Sequence, residues 1–270
     1  GHNHDGRYST EAEVDALLAS QDARIAALEA LLSGVTRNGD LLTFGEMNVQ
    51  VVDGSGDTDG PVNGLGNLFV GYNENFVGAT RTGSHNLVVG MDHEYTSYAG
   101  LVAGAQNTIT GPSASVTGGY SSTASGDASS VSGGRNNTAS GNYSSVSGGY
   151  GNEASGSDSS VSGGGGNVAS GDYSFVGGGG HSSPLYGNKA YSHFSAILGG
   201  EANVAGDEAS GDPSLAQKAT ISGGNANVAS SPVSHVSGGR NNVASGWYSV
   251  VSGGNGLTVS TTDGWTAPGH

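Results

Sequence analysis

The sequence contains no cysteine, and only 8 of its 270 residues are Lys or Arg. The absence of cysteine excludes disulfides, thiolate metal sites and cysteine nucleophiles. With 23 acidic residues the formal net charge is −15, which argues against surfaces for nucleic acid or anionic membranes, since both need basic residues at the phosphates. No run of about 18 apolar residues is present to span a bilayer. We therefore expect neither a nucleic-acid partner nor membrane insertion.

Hydrophobic and aromatic residues are also few, at 34% and 7%, whereas glycine and serine number 51 and 40. That composition is typical of a disordered linker, which is the alternative to a folded repeat. The small residues, however, recur in phase. The pentapeptide Ser-Val-Ser-Gly-Gly of residues 130–134 returns at 145–149 and 160–164, and a second unit, Asn-Thr-Ala-Ser-Gly at 137–141, alternates with it. A strict period favours a folded repeat.

Each period of about 15 residues contains two strand-like pieces, because inward-facing candidates such as Ser129, Val131 and Gly133 stand two positions apart. The sequence thus predicts a mainly β protein with a repetitive parallel β-roll or β-solenoid over residues 67–260. Insertions near 181–189 and 206–214 are predicted to project as loops while the rungs continue behind them. Residues 261–270 are predicted to form a C-terminal tail.

The N-terminal part predicts a short trimeric α-helical coiled coil over residues 11–34, following an extended segment at 1–10. Thr10 and Glu13 have the spacing of a capping box. The residues predicted to face the other helices follow at alternating spacings of four and three, the heptad a and d rhythm. They are Val14, Leu18, Gln21, Ile25, Leu28 and Leu32, of which Gln21 alone is polar. We expect a parallel homotrimer, and the alternative is a helix that packs on its own solenoid. Residues 35–66 are predicted to be a β connector with strands at 41–44 and 47–52.

Aromatic side chains at turns and in the first insertion are the candidate ligand contacts. The insertion and the rung after it contribute Tyr186, Tyr191 and His193, and the regular turns contribute Tyr143, Tyr173, Trp247 and Tyr248. Aromatic rows on a polar surface can stack on sugar rings or form hot spots for a protein partner. The alternative is that these side chains cover the solenoid or pack against a neighbouring chain.

Two family resemblances follow from these motifs. The Ser-Val-x-Gly-Gly and Asn-x-Ala-x-Gly rungs over residues 69–259 resemble the left-handed parallel β-roll head of trimeric autotransporter adhesins. The segment His-Asn-His-Asp-Gly-Arg-Tyr at residues 2–8 is similar to a His-x-His-Asp-x-Arg-Tyr motif of bacteriophage tail fibres. Both resemblances imply a trimeric attachment protein. Because no C-terminal membrane anchor follows the last rung, we expect a fibre rather than a cell-anchored adhesin.

The pair His2 and His4 has its own chemical interpretation. Residues two apart on an extended strand face the same way, so three chains around one axis would present six imidazoles. Such a set suits a structural Fe, Ni or Zn ion on the trimer axis, and the resemblance to phage fibres implies an iron site of this kind. The alternative is a pair of solvated histidines.

The sequence carries no motif that predicts an enzyme. It has no Gly-x-Ser-x-Gly nucleophile elbow between a strand and a helix, and its Gly-rich runs lack the Lys-Ser/Thr of a phosphate-binding loop. We expect a non-enzymatic trimeric attachment protein at the cell exterior or virion surface, which binds a cell-surface glycan or protein. The alternatives are a polysaccharide depolymerase with its site at a trimer interface, a head-to-tail extracellular filament built with neighbouring fibre subunits, and a monomeric solenoid that binds ice or a polymer.

Overall fold

The computed structural model describes residues 10–76, 78–208 and 211–267. It divides into two compact units, the first ending at Gln50 and the second beginning at Val51. The first unit contains helix α1, Glu11–Leu31, and an antiparallel hairpin of strands Val35–Asn38 and Leu41–Phe44. The second unit is a parallel β-solenoid. The protein is therefore mainly β with one N-terminal helix.

Helix α1 begins with the predicted capping box. The Glu13 amide donates to Thr10 Oγ1 over 3.3 Å, and the Thr10 amide donates to Glu13 Oε2 over 2.7 Å. The helix ends at Leu31, and Gly34 follows in the left-handed region with φ of +88°. No residue of α1 is buried, so its apolar side chains make no core within the described chain.

The connector differs from the sequence prediction in one strand. Leu41–Phe44 is a strand, but residues 47–52 are not, and the partner of Leu41–Phe44 is Val35–Asn38. Gly39, with φ of +59°, allows the tight turn between these two strands. The alternating apolar residues Met47, Val49 and Val51 suggested a strand, but no strand in the described part of the chain pairs with this segment.

The solenoid consists of two parallel sheets, which we name after the residue that fills each interior row. Within the described residues the valine sheet has 13 strands, namely Leu68–Val70, Leu87–Met91, Leu101–Ala105, Ser115–Val116, Ser130–Val131, Ser145–Val146, Ser160–Val161, Phe175–Val176, Ala196–Ile197, Thr220–Ile221, His235–Val236, Val250–Val251 and Trp265–Thr266. The alanine sheet has 11 strands, namely Glu94–Tyr95, Thr108–Ile109, Thr123–Ala124, Thr138–Ala139, Glu153–Ala154, Val168–Ala169, Lys189–Ala190, Val204–Ala205, Val228–Ala229, Val243–Ala244 and Thr258–Val259.

Each rung between Leu87–Met91 and Thr258–Val259 contributes one strand to each sheet, and equivalent residues pair directly. Val131 pairs with Val146 in the valine sheet, and Ala139 pairs with Ala154 in the alanine sheet. These four side chains are at most 1% exposed. Valine on one side and alanine on the other fill the narrow space between the sheets, which explains why so few large apolar residues suffice.

A buried ladder of polar side chains holds successive rungs together. The Asn152 amide donates to Oδ1 of Asn137 over 3.0 Å, while Asn152 Nδ2 donates to the carbonyls of Gly148 and Gly164. The same position is filled in the other rungs by His93, Asn107, Ser122, Asn167, Asn188, Asn203, Asn227 and Asn242. We call this row the asparagine ladder. Its side chains make hydrogen bonds with the backbone amides and carbonyls of the turns, where regular strand pairing stops.

Both insertions leave the rungs in register. Val168–Ala169 pairs with Lys189–Ala190 across the first insertion, and Ala196–Ile197 pairs with Thr220–Ile221 across the second. The valine sheet also continues one rung beyond the predicted boundary, because Trp265–Thr266, in the predicted tail, pairs with Val250–Val251. That strand lacks the Val-x-Gly-Gly signature, so the periodic pattern did not reveal it.

Candidate functional site

The turns that lead from the alanine sheet back to the valine sheet form one edge of the solenoid, which we call the tyrosine edge. One residue in each turn has left-handed backbone geometry, for example Tyr143, Tyr173 and Tyr248 with φ of +57°, +57° and +55°. From Ser113 onward, the amide of each such residue donates to the turn of the preceding rung, as from Tyr173 to the Ser157 carbonyl over 2.8 Å. The edge is therefore a continuous column in which equivalent side chains point out one above another.

Tyr173 and Phe194 stack on each other in this column. Their ring centroids are 5.0 Å apart and their planes differ by 3°. The two residues belong to adjacent rungs and are separated by 21 positions because the first insertion lies between them, and the Phe194 amide donates to the Asp172 carbonyl. Tyr173 is 57% and Phe194 48% exposed. The pair thus presents a flat aromatic surface to solvent.

Polar side chains of the same turns hold this pair in place. Asp172 Oδ1 accepts the Ser157 amide at 3.0 Å, and the Asp172 amide donates to Nδ1 of His193 at 3.0 Å. His193 Nδ1 also lies 3.5 Å from Asp172 Oδ2. In the shorter contact Nδ1 is the acceptor. His193, a predicted contact residue, therefore supports the turn beneath the aromatic pair.

The other predicted aromatic residues of this edge lie above and below the pair. Tyr143 is two rungs before Tyr173, with Asp158 in the intervening rung, and is 65% exposed. Trp247 and Tyr248 occupy a turn three rungs beyond Phe194 and are also exposed. At a rung spacing of about 4.8 Å, this second group lies roughly 14 Å from Phe194 along the edge. The edge thus has two separate aromatic groups.

Tyr186 and Tyr191 lie elsewhere. Tyr186 ends the short 3-10 helix Pro184–Tyr186, and its carbonyl accepts the amide of Ala202 at the opposite edge of the solenoid. The His181 ring meets the Tyr186 ring edge-on, with 5.7 Å between centroids. The structure therefore does not bring Tyr186 together with the residues of the tyrosine edge.

Tyr191 projects from the outer face of the alanine sheet beside the second insertion. Its hydroxyl donates to Glu208 Oε1 at 2.7 Å, and Lys189 Nζ lies 3.3 Å from the same oxygen. Burial, together with the Glu208 hydrogen bond, raises the pKa of Tyr191 above its usual range. A cavity of about 270 Å³ lies here, lined by Ser170, Tyr191, Asp207, Glu208, Gly211 and Pro213. Tyr191 is thus engaged within the chain.

Phe194 is the residue of this site that the sequence interpretation missed. Tyr143, Tyr173 and Tyr248 each precede a buried serine of the repeat, and Phe194 precedes Ser195 in the same way. That alignment across the insertion was the available signal. Its stacking on Tyr173 could not be derived from spacing alone, since it depends on how the inserted loop returns to the rung.

The proposed metal ligands His2 and His4 lie outside the described residues, so the metal site stays a prediction. Within residues 10–76, 78–208 and 211–267, no group of three or more His, Asp or Glu side chains is arranged to hold a metal ion. In the same part of the chain, no helix is long and apolar enough to cross a membrane.

No protein-family model and no curated protein sequence matches the chain. The functional argument therefore rests on the geometry of the solenoid and of its edges.

Proposed function

We propose that the chain is a non-enzymatic trimeric fibrous attachment protein, similar to a phage tail fibre or an adhesin head, at the cell exterior or virion surface. It binds a cell-surface glycan or protein through the tyrosine edge. The observation that carries this proposal is the stacked, solvent-exposed pair of Tyr173 and Phe194 on a regular scaffold.

The exposed seam of helix α1 supports association into a homotrimer. Val14, Leu18, Ile25, Leu28 and Leu32 are 43–56% exposed although they follow heptad spacing. A helix of about three heptads is marginal alone in water, and burying these side chains between three copies would stabilise it. In the heptad frame Arg24 and Glu29 take g and e positions, where opposite charges pair between chains.

The first rungs of the solenoid support the same association. Leu68, Val70, Leu87 and Met91 lie on the valine sheet and are 37–55% exposed. In register with Leu87, the later rungs carry Ser115 and Ser130. An apolar outer face on the rungs nearest the helix in sequence is an expected location of contacts between chains.

The tyrosine edge supports glycan binding. The faces of pyranose rings pack on flat aromatic surfaces, and neighbouring polar groups fix their orientation. Asp158 and Asp172 lie in the turns adjoining the aromatic pair and provide acceptors for sugar hydroxyls. Three such edges in one fibre would bind a cell surface multivalently, so weak individual sites suffice.

The test has two parts. Light scattering behind size exclusion should give a mass near three chains, about 80 kDa from the 26.5 kDa chain, and chelation should loosen the trimer if His2 and His4 bind a metal. The variant Tyr173→Ala/Phe194→Ala should lose binding to receptor-bearing cells. Tyr72→Ala is the control, because Tyr72 is 94% exposed and follows a strand of the valine sheet, so it lies outside the tyrosine edge. A monomer, or equal binding by both variants, would contradict the proposal.

A head-to-tail filament is the second candidate. Within the described residues, Leu68–Val70 and Trp265–Thr266 are the end strands of the valine sheet, and each pairs on one side only. Unpaired strand edges can join end to end across molecules. Assemblies much larger than three chains, growing with protein concentration, would favour this candidate.

A further inference from the structure

The turns that lead from the valine sheet to the alanine sheet form the opposite edge, which we call the arginine edge. Tyr120, Arg135 and Tyr150 occupy equivalent positions in three consecutive rungs and are bridged in register. The Arg135 guanidinium carbon lies 5.6 Å from the centroid of the Tyr120 ring and 6.0 Å from that of Tyr150. The guanidinium is thus held between two aromatic rings.

These contacts fix Arg135 without neutralising it. A cation–π contact uses the face of the guanidinium and leaves its N–H groups at the rim. None of the ion pairs found among the described residues involves Arg135. Arg135 is exposed, and so is Glu153 on the adjoining face of the alanine sheet, with which it forms no ion pair. An ordered positive charge therefore faces solvent on a protein of net charge −15.

We propose that Tyr120, Arg135 and Tyr150 form a binding site for the carboxylate of an acidic sugar. The planar fork of a guanidinium matches a carboxylate through two parallel hydrogen bonds, and its orientation is already fixed by the two rings. The flanking tyrosines, 41% and 40% exposed, offer aromatic surface for the sugar ring. Phosphate shares part of this chemistry, but it presents no ring to pack on the tyrosines.

This site is separate from the tyrosine edge. Because strands of the two sheets alternate along the chain from Leu87–Met91 to Trp265–Thr266, the two kinds of turn lie at opposite edges of the solenoid. The site can therefore bind its ligand whether or not Tyr173 and Phe194 bind a receptor.

The chain contains a matched control for this site. Arg240 lies in the same local sequence as Arg135, Ser-Gly-Gly-Arg-Asn-Asn, and in the same column of the arginine edge. Its neighbours in the adjacent rungs are Asn225 and Asn255 instead of tyrosines. Arg240 thus has the backbone setting of Arg135 without the aromatic rings.

The experiment is a titration of the full chain with a tetramer of galacturonic acid, followed by calorimetry and by the NMR signals of the arginine Nε–H groups. The Arg135 signal should shift and that of Arg240 should not. Arg135→Lys and Tyr120→Ala should each weaken binding about tenfold or more, because the bidentate contact or its preorganisation is lost. Arg240→Lys should bind as the unaltered chain does.

Two further probes define the ligand. The methyl-esterified tetramer, which lacks the negative charges, should not bind, and inorganic phosphate should bind more weakly than the tetramer. Equal shifts at Arg135 and Arg240, equal binding of the ester, phosphate binding as strong as that of the tetramer, or no binding of the tetramer would each overturn the proposal. None of these results depends on cell attachment through Tyr173 and Phe194, so the two proposals fail independently.

Discussion

The backbone amide of Asn152 donates to the side-chain oxygen of Asn137, 15 positions earlier, at a distance of 3.0 Å. This bond repeats along the asparagine ladder and joins the turn of one rung to the next. The ladder lies where the two-residue strands of the alanine sheet begin. Strands this short contribute few bonds each, so the ladder is expected to carry a large share of the stability of the solenoid.

Replacing Asn152 by alanine should destabilise the solenoid by about 2–4 kcal/mol, since an unsatisfied buried polar group costs about 1–3 kcal/mol. The change leaves the Gly148 carbonyl and the Asn167 amide without their side-chain partners. Equilibrium denaturation measures the loss. Asn152→Ser is the matched variant, because Ser122 already fills this position and accepts the Asn137 amide. Equal losses for alanine and serine would show that the side-chain acceptor contributes little.

His93 should make the solenoid sensitive to acid. Its Nε2 donates to the Val89 carbonyl and its Nδ1 accepts the Asn107 amide, so the buried ring is neutral. Burial lowers the pKa of His93 below the ordinary 6.5. As the pH falls, the unfolded chain therefore takes up a proton at this histidine before the folded chain does. The contribution of His93 to the free energy of unfolding is fully present above about pH 6.5 and should be lost as the pH drops below that value.

The test of this prediction is His93→Asn, which keeps an acceptor and a donor at the same rung. The denaturation midpoint should fall less between pH 7.5 and 5 in this variant than in the unaltered chain. His181→Asn, in an exposed loop, should leave the pH dependence unchanged. The same slope in all three proteins would mean that other groups set the acid sensitivity.

Gly141 should tolerate no side chain, because a Cβ there would overlap the carbonyl group of Gly156 in the next rung. We expect Gly141→Ala to cost about 1–3 kcal/mol, as is typical of overpacking. Gly148 is the control, since a Cβ there meets nothing within 4 Å, and Gly148→Ala should change stability by less than about 0.5 kcal/mol. Thermal unfolding of the two variants measures both effects, and similar midpoints would contradict the close approach of the rungs.

The capping box should make the stability of helix α1 depend on the charge of Glu13. Hydrogen bonds from the backbone and then the side chain of Thr10 lower the pKa of Glu13 below 4.5. A carboxylate with a lowered pKa stabilises the folded form above the unfolded value, and this stabilisation is lost as the pH falls through the lowered pKa. Ellipticity at 222 nm should therefore decrease on acidification less in Glu13→Gln than in the unaltered chain. Asp22→Asn, in mid-helix, should not reproduce that difference.

The sequence predicts repeats well here and contacts between repeats poorly. The alternation of Val131 and Ala139 with glycine was enough to predict two short strands per rung, and Thr10 with Glu13 predicted the helix start. The role of His93 in the asparagine ladder was not predictable, since nothing in the chain near it resembles an Asn-x-Ala unit. The contact of Arg135 with Tyr120 and Tyr150 also depends on the register between rungs, which joins residues 15 apart.

Because equivalent residues of successive rungs pair in register, the number of rungs sets the length of the solenoid. Residues 130–134, 145–149 and 160–164 repeat the same pentapeptide at intervals of 15 positions. Adding or removing one 15-residue rung would change this length by about 4.8 Å. Each row of equivalent side chains along the solenoid would then be one residue longer or shorter. The distance that the solenoid spans therefore changes only in steps of one rung.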